Sequence, residues 1–317
     1  LTDVSGIIVS LKEPEEVKMA LRKIFIVFVS IAALAFGACD NGKKQDKLSV
    51  VVSIFPIYDI ARNIGGEKVD FMYIIPPGAN PHSFSPLPSA VKQIQNAEIY
   101  IGIARGFDDW VSRYMKSGTP TRYLFAPVHL HTEDSHCTHD HDFEDDNPHY
   151  WLSVGKARDI AQKISIILSD IDPDNSSYYI SNASSYIIQL NELDKEIGRM
   201  FDDMKSRKLI QWHPAWNYFA EDYGLEIIGN ITEGHGKEPS VKHFRELAQK
   251  AKAQNADIII MGLNVESKAV DALAKEINGK IIRLDNTGNP EVKERATYID
   301  LMRHNAKLIS EALKQGE

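Results

Sequence analysis

The sequence predicts an α/β protein of two lobes, each a parallel sheet flanked by helices, with one long rigid helix joining them. Three observations predict it. Short runs rich in Val and Ile alternate with helical stretches, the alternation occurs twice, and an unusually long helical pattern separates the two occurrences. Strand–helix alternation of this kind argues for parallel sheets, because a parallel pair needs a crossover long enough to hold a helix. The 317 residues suit two lobes of roughly 100–150 residues each better than one small domain. A composition 43% hydrophobic and 25% charged supplies the cores such lobes require.

The first segment reads as an address. Residues 1–18 are expected to lie ahead of the native start, because Met19 stands just before Arg22 and Lys23, where an export signal would begin. Residues 19–39 then form a signal peptide: a positive start, an apolar run from Ile24 to Phe36 too short to span a bilayer comfortably, and small residues Gly37 and Ala38 before Cys39. This pattern resembles a bacterial lipoprotein signal, which implies lipidation at Cys39 and a membrane anchor. A plain secretory signal or an uncleaved anchor is the alternative. Residues 40–47 read as a polar tether. Cys39 and Cys137 are the two cysteines, so no disulfide framework is indicated and export is inferred from the signal.

Residues 48–171 read as the N-terminal lobe. Strands are predicted over Leu48–Ile54, Val69–Ile75, Glu98–Ile103 and Arg122–Phe125, with helices over Tyr58–Ile64 and Ser89–Asn96. Residues 172–206 read as the linking helix. Asp172 is placed to cap it and Pro173 suits its first position. Apolar residues recur from Tyr179 through Ala183, Tyr186, Leu190, Leu193, Ile197 and Phe201 to Met204, at spacings of three or four. A rod of that length passes along both lobes and limits their closure to small motions; a long helix inside one domain is the other reading. Residues 207–317 read as the C-terminal lobe, with strands over Leu209–Trp212, Glu226–Ile231, Asp257–Met261 and Lys280–Leu284 and helices over Val241–Gln254 and Glu266–Ile277.

Open α/β sheets bind ligands beyond the carboxyl ends of their strands. His213 and Asp285 directly follow predicted strands, His82 lies in the loop after the second strand, and His149 sits between a loop and a helix start. Two come from each lobe. Three imidazoles and one carboxylate suit Zn²⁺, which takes such ligands tetrahedrally, while manganese or ferrous iron accepts nitrogen and oxygen with more ligands. Any one of these histidines alone is more often a surface or capping residue. Their placement at strand ends, two of them after proline, is what singles them out.

The motifs around them resemble the metal-binding receptors of bacterial zinc and manganese ABC importers. Gly78-Ala79-Asn80-Pro81-His82 followed by Pro86-Leu87-Pro88-Ser89, Pro148-His149-Tyr150-Trp151-Leu152-Ser153, the run opening at His213-Pro214-Ala215-Trp216, and Glu238-Pro239-Ser240 occur in the family's order. The resemblance covers about Leu48 to the C-terminus. It implies a metal held between two lobes by His82, His149, His213 and Asp285, the last on the shorter match Arg283-Leu284-Asp285. It also implies docking on an ABC permease with a cytoplasmic ATPase, by a receptor expected to be a monomer. Asn147 stands where the family commonly has Asp, and Asn286-Thr287-Gly288 where Pro-Leu-Gly is common. Both departures bear on the hydrogen bonds that orient the ligands.

Two features tilt the expected metal to zinc. Manganese receptors of the family often carry glutamate where this chain has His213. Residues 129–146 hold five histidines (His129, His131, His136, His139, His141), Cys137 and seven acids. Such a stretch cannot pack a core, so it is expected to be a mobile loop. Similar loops mark zinc members of the family, which implies a weak accessory site; a solvated acidic loop without metal is the alternative.

Other classes fit less well. A net charge of −8 opposes general affinity for nucleic acid or anionic lipid, which demand a basic face. A hydrolase is not expected: no His-Glu-x-x-His, Gly-x-Ser-x-Gly or phosphate-binding glycine loop occurs in the sequence. Four protein ligands would also close the coordination sphere that catalysis needs open. A surface adhesin, compatible with a lipid anchor, remains the alternative from another class.

Overall fold

Along each central strand, successive apolar residues are buried in different cores, and this alternation sets the architecture. The computed structural model describes residues 47–80, 84–103, 107–124, 147–233 and 238–315. In the first half, β1 (Leu48–Val52), β2 (Val69–Tyr73), β3 (Ile99–Gly102) and β4 (Thr121–Tyr123) form a parallel sheet in the order β2-β1-β3-β4. In the second, β5 (Lys208–Gln211), β6 (Glu226–Asn230), β7 (Ile258–Gly262) and β8 (Lys280–Leu284) repeat that order as β6-β5-β7-β8. The predicted strands are all present, with ends that coincide or differ by at most two residues.

The helices are α1 (Phe55–Gly65), α2 (Pro88–Asn96), α3 (Val154–Ile171), α4 (Ser176–Phe201), α5 (Asn217–Asp222), α6 (Val241–Gln254), α7 (Lys268–Ile277) and α8 (Tyr298–Gln315). Their starts have local causes. Pro88 opens α2, where a missing N–H costs nothing. Ser153, Ser240 and Ser267 cap α3, α6 and α7 by accepting the backbone N–H three residues on. Asn255 and Asn278 close α6 and α7 in the left-handed conformation. Among the described residues no helix is long and apolar enough to cross a membrane.

One apolar core serves both sheets. Val50 and Val52 of β1, Ile99 and Ile101 of β3, Leu209 of β5 and Ile258 and Ile260 of β7 all belong to it. So do the buried stripes of α1, α3, α4 and α8. The alternate residues face outward into separate cores: Val51 and Tyr100 toward α2, and Ile210, Ile259 and Met261 toward α6 and α7. The period-two pattern of each strand therefore assigns one face to a common helical layer and the other to its own helices.

The long helix differs from its sequence reading at its start. Asp172 ends α3 and makes no capping bond to the following backbone; its carboxylate instead accepts from Asn175 Nδ2 at 2.7 Å and the Tyr179 hydroxyl at 2.6 Å. Pro173 opens a short 3-10 turn, Pro173–Asn175, and α4 follows with 26 residues, or roughly 40 Å. Its first turns pack on the N-terminal half, where Tyr178 covers Gly66 and Asn182 donates to the Ile64 carbonyl at 2.9 Å. Gly66 has φ +52, and a side chain there would collide with the tyrosine. The last turn packs on the C-terminal half: Phe201 stacks on Tyr223 at 5.9 Å and meets Phe219 edge-on at 6.0 Å. The helix α3, read from the sequence only as a start after His149, and α8, not read there, lie beside it in the same layer.

Buried polar ties cross between the halves. Asp59 on α1 accepts the Tyr298 N–H at the start of α8 at 2.8 Å, and Tyr298 donates its hydroxyl to the Trp151 carbonyl at 2.7 Å. Burial pushes the Asp59 carboxyl above its ordinary value, against the lowering by Tyr298 N–H and Arg62. A carboxyl raised in the folded state favours folding once protonated, so its contribution is present in acid and is lost as pH rises through the folded value. From about pH 7 to about pH 4, wild type should therefore gain thermal stability relative to Asp59→Asn. Parallel melting curves across that range would count against this account of Asp59.

Candidate metal centre

Two imidazoles from opposite halves meet where the sheets' carboxyl ends approach each other. His149 precedes the 3-10 turn Tyr150–Leu152, and its N–H donates to Asn147 Oδ1 at 3.0 Å, which folds the loop back on itself. The ring is buried, 5.2 Å from Trp151 and 6.4 Å from Phe107. His213 follows β5, and its ring lies 5.1 Å from that of His149 at 74°. Two imidazoles on one tetrahedral ion, each at about 2.0–2.1 Å, hold their ring centres about 5 Å apart. The pair is spaced for a shared cation.

The tautomer of His149 follows from its neighbour. Asn147 Nδ2 donates to the Pro214 carbonyl at 2.6 Å, which orients the amide and turns its oxygen to His149 Nδ1 at 2.8 Å. An amide oxygen only accepts, so Nδ1 carries the proton and Nε2 the lone pair that a metal requires. Tyr218 donates to the Asn147 carbonyl at 3.1 Å, with the Lys156 ammonium 4.7 Å above its ring. Trp151 Nε1 donates to the Asn286 carbonyl at 2.7 Å, tying the His149 turn to the loop after β8. Beside His213 a small cavity is walled by Trp212, Trp216, Met261, Leu284 and Asn286. Such largely apolar walls strengthen electrostatic interactions within.

Asp285 sits directly after β8, as expected, and is buried. Its backbone is clamped by Asn305, which accepts its N–H at 3.0 Å and donates to its carbonyl at 2.6 Å. Its Oδ1 accepts from Thr287 N at 2.9 Å and Gly288 N at 3.0 Å, and Oδ2 pairs with Arg295 Nη1 at 2.5 Å. Among the described residues no three His, Cys, Asp or Glu side chains are grouped to hold a metal. Of the four predicted ligands, the structure brings His149 and His213 together and turns Asp285 to Arg295. Nearby on α8, burial first and then Arg295 push His304 below its ordinary value.

His82 lies outside the described residues, as do Cys39 and the loop residues His129, His131, His136, Cys137, His139 and His141. The stem of the His82 loop is described to residue 80. The Gly78 carbonyl there accepts from Asn264 Nδ2 at 3.2 Å, a bond from the second half. Sequence reasoning did not find Arg295, which carries no motif, and it noted Asn147 as a departure without its double role.

Two parallel sheets on one helical layer, with a buried and a partly buried histidine paired at their carboxyl ends, define a two-lobed α/β protein with a candidate cation site between its halves. The chain belongs to the family described as ZnuA, zinc-uptake complex component A, periplasmic, whose model matches residues 50–312. It is 28% identical over 315 residues to the zinc-binding lipoprotein AdcA of Streptococcus pneumoniae, covering 93% of this chain and 62% of that protein. The chain thus spans about three-fifths of the streptococcal relatives' length. It is also 28% identical over 310 residues to the high-affinity zinc uptake system protein ZnuA of Bacillus subtilis, covering 90% of this chain and 96% of that one. Among solved structures, a crystal structure of ZnuA superposes with a TM-score of 0.72 at 27% identity, over 84% of this chain and 100% of that one.

The double role of Asn147 is testable. Asn147→Asp keeps an acceptor for His149 but sets a carboxylate against the Pro214 carbonyl. The metal-free protein should lose about 1–3 kcal/mol in urea unfolding. An unchanged midpoint would mean that the Asn147–Pro214 bond contributes nothing to joining the halves.

Proposed function

We propose that this chain is the extracytoplasmic receptor of a zinc-uptake ABC importer, capturing Zn²⁺ between its halves and delivering it to the permease. The observation that carries the reading is the His149–His213 pair, 5.1 Å apart, with one imidazole from each half. His82 would supply the third nitrogen and Asp285 the carboxylate. The preset tautomer of His149 supports a ligand role, since an imidazole whose Nδ1 proton is already committed to Asn147 keeps Nε2 as the coordinating nitrogen. Zinc is favoured over manganese by the nitrogen-rich set, by His213 itself, and by the names of the relatives.

The remaining parts follow that reading. Cys39 would carry the lipid that anchors the receptor to the membrane. His129, His131, His136, Cys137, His139 and His141 would make a low-affinity loop that gathers zinc without forming the principal site. The receptor would act as a monomer and meet a permease whose ATPase lies in the cytoplasm.

Two measurements test this. Elemental analysis and competitive titration of protein starting at Asp40 should find about one tight zinc per chain. His213→Ala should weaken binding by roughly 100-fold or more, while deletion of residues 132–146 leaves the tight site in place. Preference for manganese would keep the importer and change its cargo; no tight metal would return the adhesin reading. Protons compete with metal for imidazole, so affinity should fall steadily from about pH 7 to about pH 5. A flat profile over that range would exclude a site built on three histidines.

A further inference from the structure

Asp285 already holds a cation, and that cation is part of the protein. Its Oδ1 is used by the turn it caps, through Thr287 N and Gly288 N, so Oδ2 is the oxygen that could serve a metal. Arg295 Nη1 sits on that oxygen at 2.5 Å, with side-chain exposures of 18% for the arginine and 8% for the aspartate. The carboxylate cannot swing away with its backbone, because Asn305 clamps it on both sides. The arginine backbone is also placed: its N–H donates to the Val292 carbonyl at 2.8 Å and its carbonyl accepts from Asn289 at 3.1 Å. A guanidinium does not lose its proton in a protein, so it remains a competitor for Oδ2 at every working pH.

We infer that Arg295 is a built-in competitor for the metal at Asp285, occupying Oδ2 in the empty receptor and yielding it when the ion arrives at the histidine pair. The inference depends on the zinc-site reading above. A buried carboxylate left without a counter-charge is costly, and Arg295 removes that cost whenever the metal is absent. The same contact opposes metal binding, because each ion captured through Asp285 must break it. Arg295 therefore sets affinity below what the ligands alone would give, and it hastens release by recapturing Oδ2 as the metal leaves. It is a positioning residue acting through Asp285, with no contact to the ion required.

The test is a double-mutant cycle on protein starting at Asp40, with Zn²⁺ as the probe and both the equilibrium constant and the dissociation rate measured. Arg295→Gln should tighten zinc binding by roughly 10-fold or more, chiefly through slower dissociation, and Arg295→Lys should fall between it and wild type. In an Asp285→Asn background the glutamine substitution should have no effect beyond about 3-fold. Co²⁺ in place of zinc gives a second readout, since its visible absorption should change in Asp285→Asn if Asp285 is a ligand. Zinc binding by a folded Arg295→Gln variant equal to wild type overturns the proposal while leaving the histidine site intact. So does a tightening that persists without Asp285, or a cobalt spectrum indifferent to Asp285→Asn. Should Arg295→Gln alone fail to fold, Arg295→Lys and the charge-neutral double substitution Asp285→Asn with Arg295→Gln supply the same comparison. Wild type that takes up no zinc fails the zinc-site reading itself.

Discussion

The rest of the structure depends on the apolar layer shared by the two sheets. Val50, Val52, Leu209 and Ile260 lie in one continuous core with α1, α3, α4 and α8, so neither sheet buries its inner face without the other half's helices nearby. Burial of this kind is the main favourable term in folding, and dividing it would expose both inner faces to water. The spine is one member of that layer, not an isolated strut. Its two ends are fixed by different contacts, Tyr178 on Gly66 at one and Phe201 on Tyr223 at the other.

With that frame fixed, the histidine pair needs only local devices. Asn147 is the economical one: its oxygen sets the proton on His149 and its nitrogen grips the carbonyl beside His213. An aspartate, common at this place in the family, could do the first and not the second. Trp151 adds a similar bridge to the loop after β8, where Asp285 and Arg295 form their pair. Three loops that carry or orient the candidate ligands are thus cross-linked by side chains whose own backbones are pinned by the core.

Most strands were legible because they carry short β-branched apolar runs, such as Val50-Val51-Val52 and Ile258-Ile259-Ile260, and such runs declare themselves without tertiary information. The start of the long helix misled, because Asp172-Pro173 has the composition of a helix entry while its carboxylate bonds Asn175 and Tyr179 side chains instead. The stripes of α3 and α8 are periodic too, yet a helix's own period does not say which partner it meets, and their membership of one layer with α4 is written nowhere locally. His149 and His213 were found through their motifs and strand ends. The ion pair at Asp285 was not, since a lone arginine ten residues away in a single 3-10 turn has no periodicity to betray it. The role of Asn147 was hidden for the same reason, its partner being the Pro214 carbonyl 67 residues later.

The shared core also limits how the molecule can tell full from empty. Receptors built on a flexible hinge report their cargo by a change of overall outline, a collective motion of microseconds to milliseconds. Here a rotation of one sheet against the other would have to shear α4 and α8 through a close-packed interior, which resists continuous deformation. The message of occupancy is left to the rim: rotamers, the charge exposed near Arg295, and the loop tethered by Asn264 to Gly78. On the proposed reading, a permease would therefore read texture and charge over a few side chains, not shape over tens of ångströms.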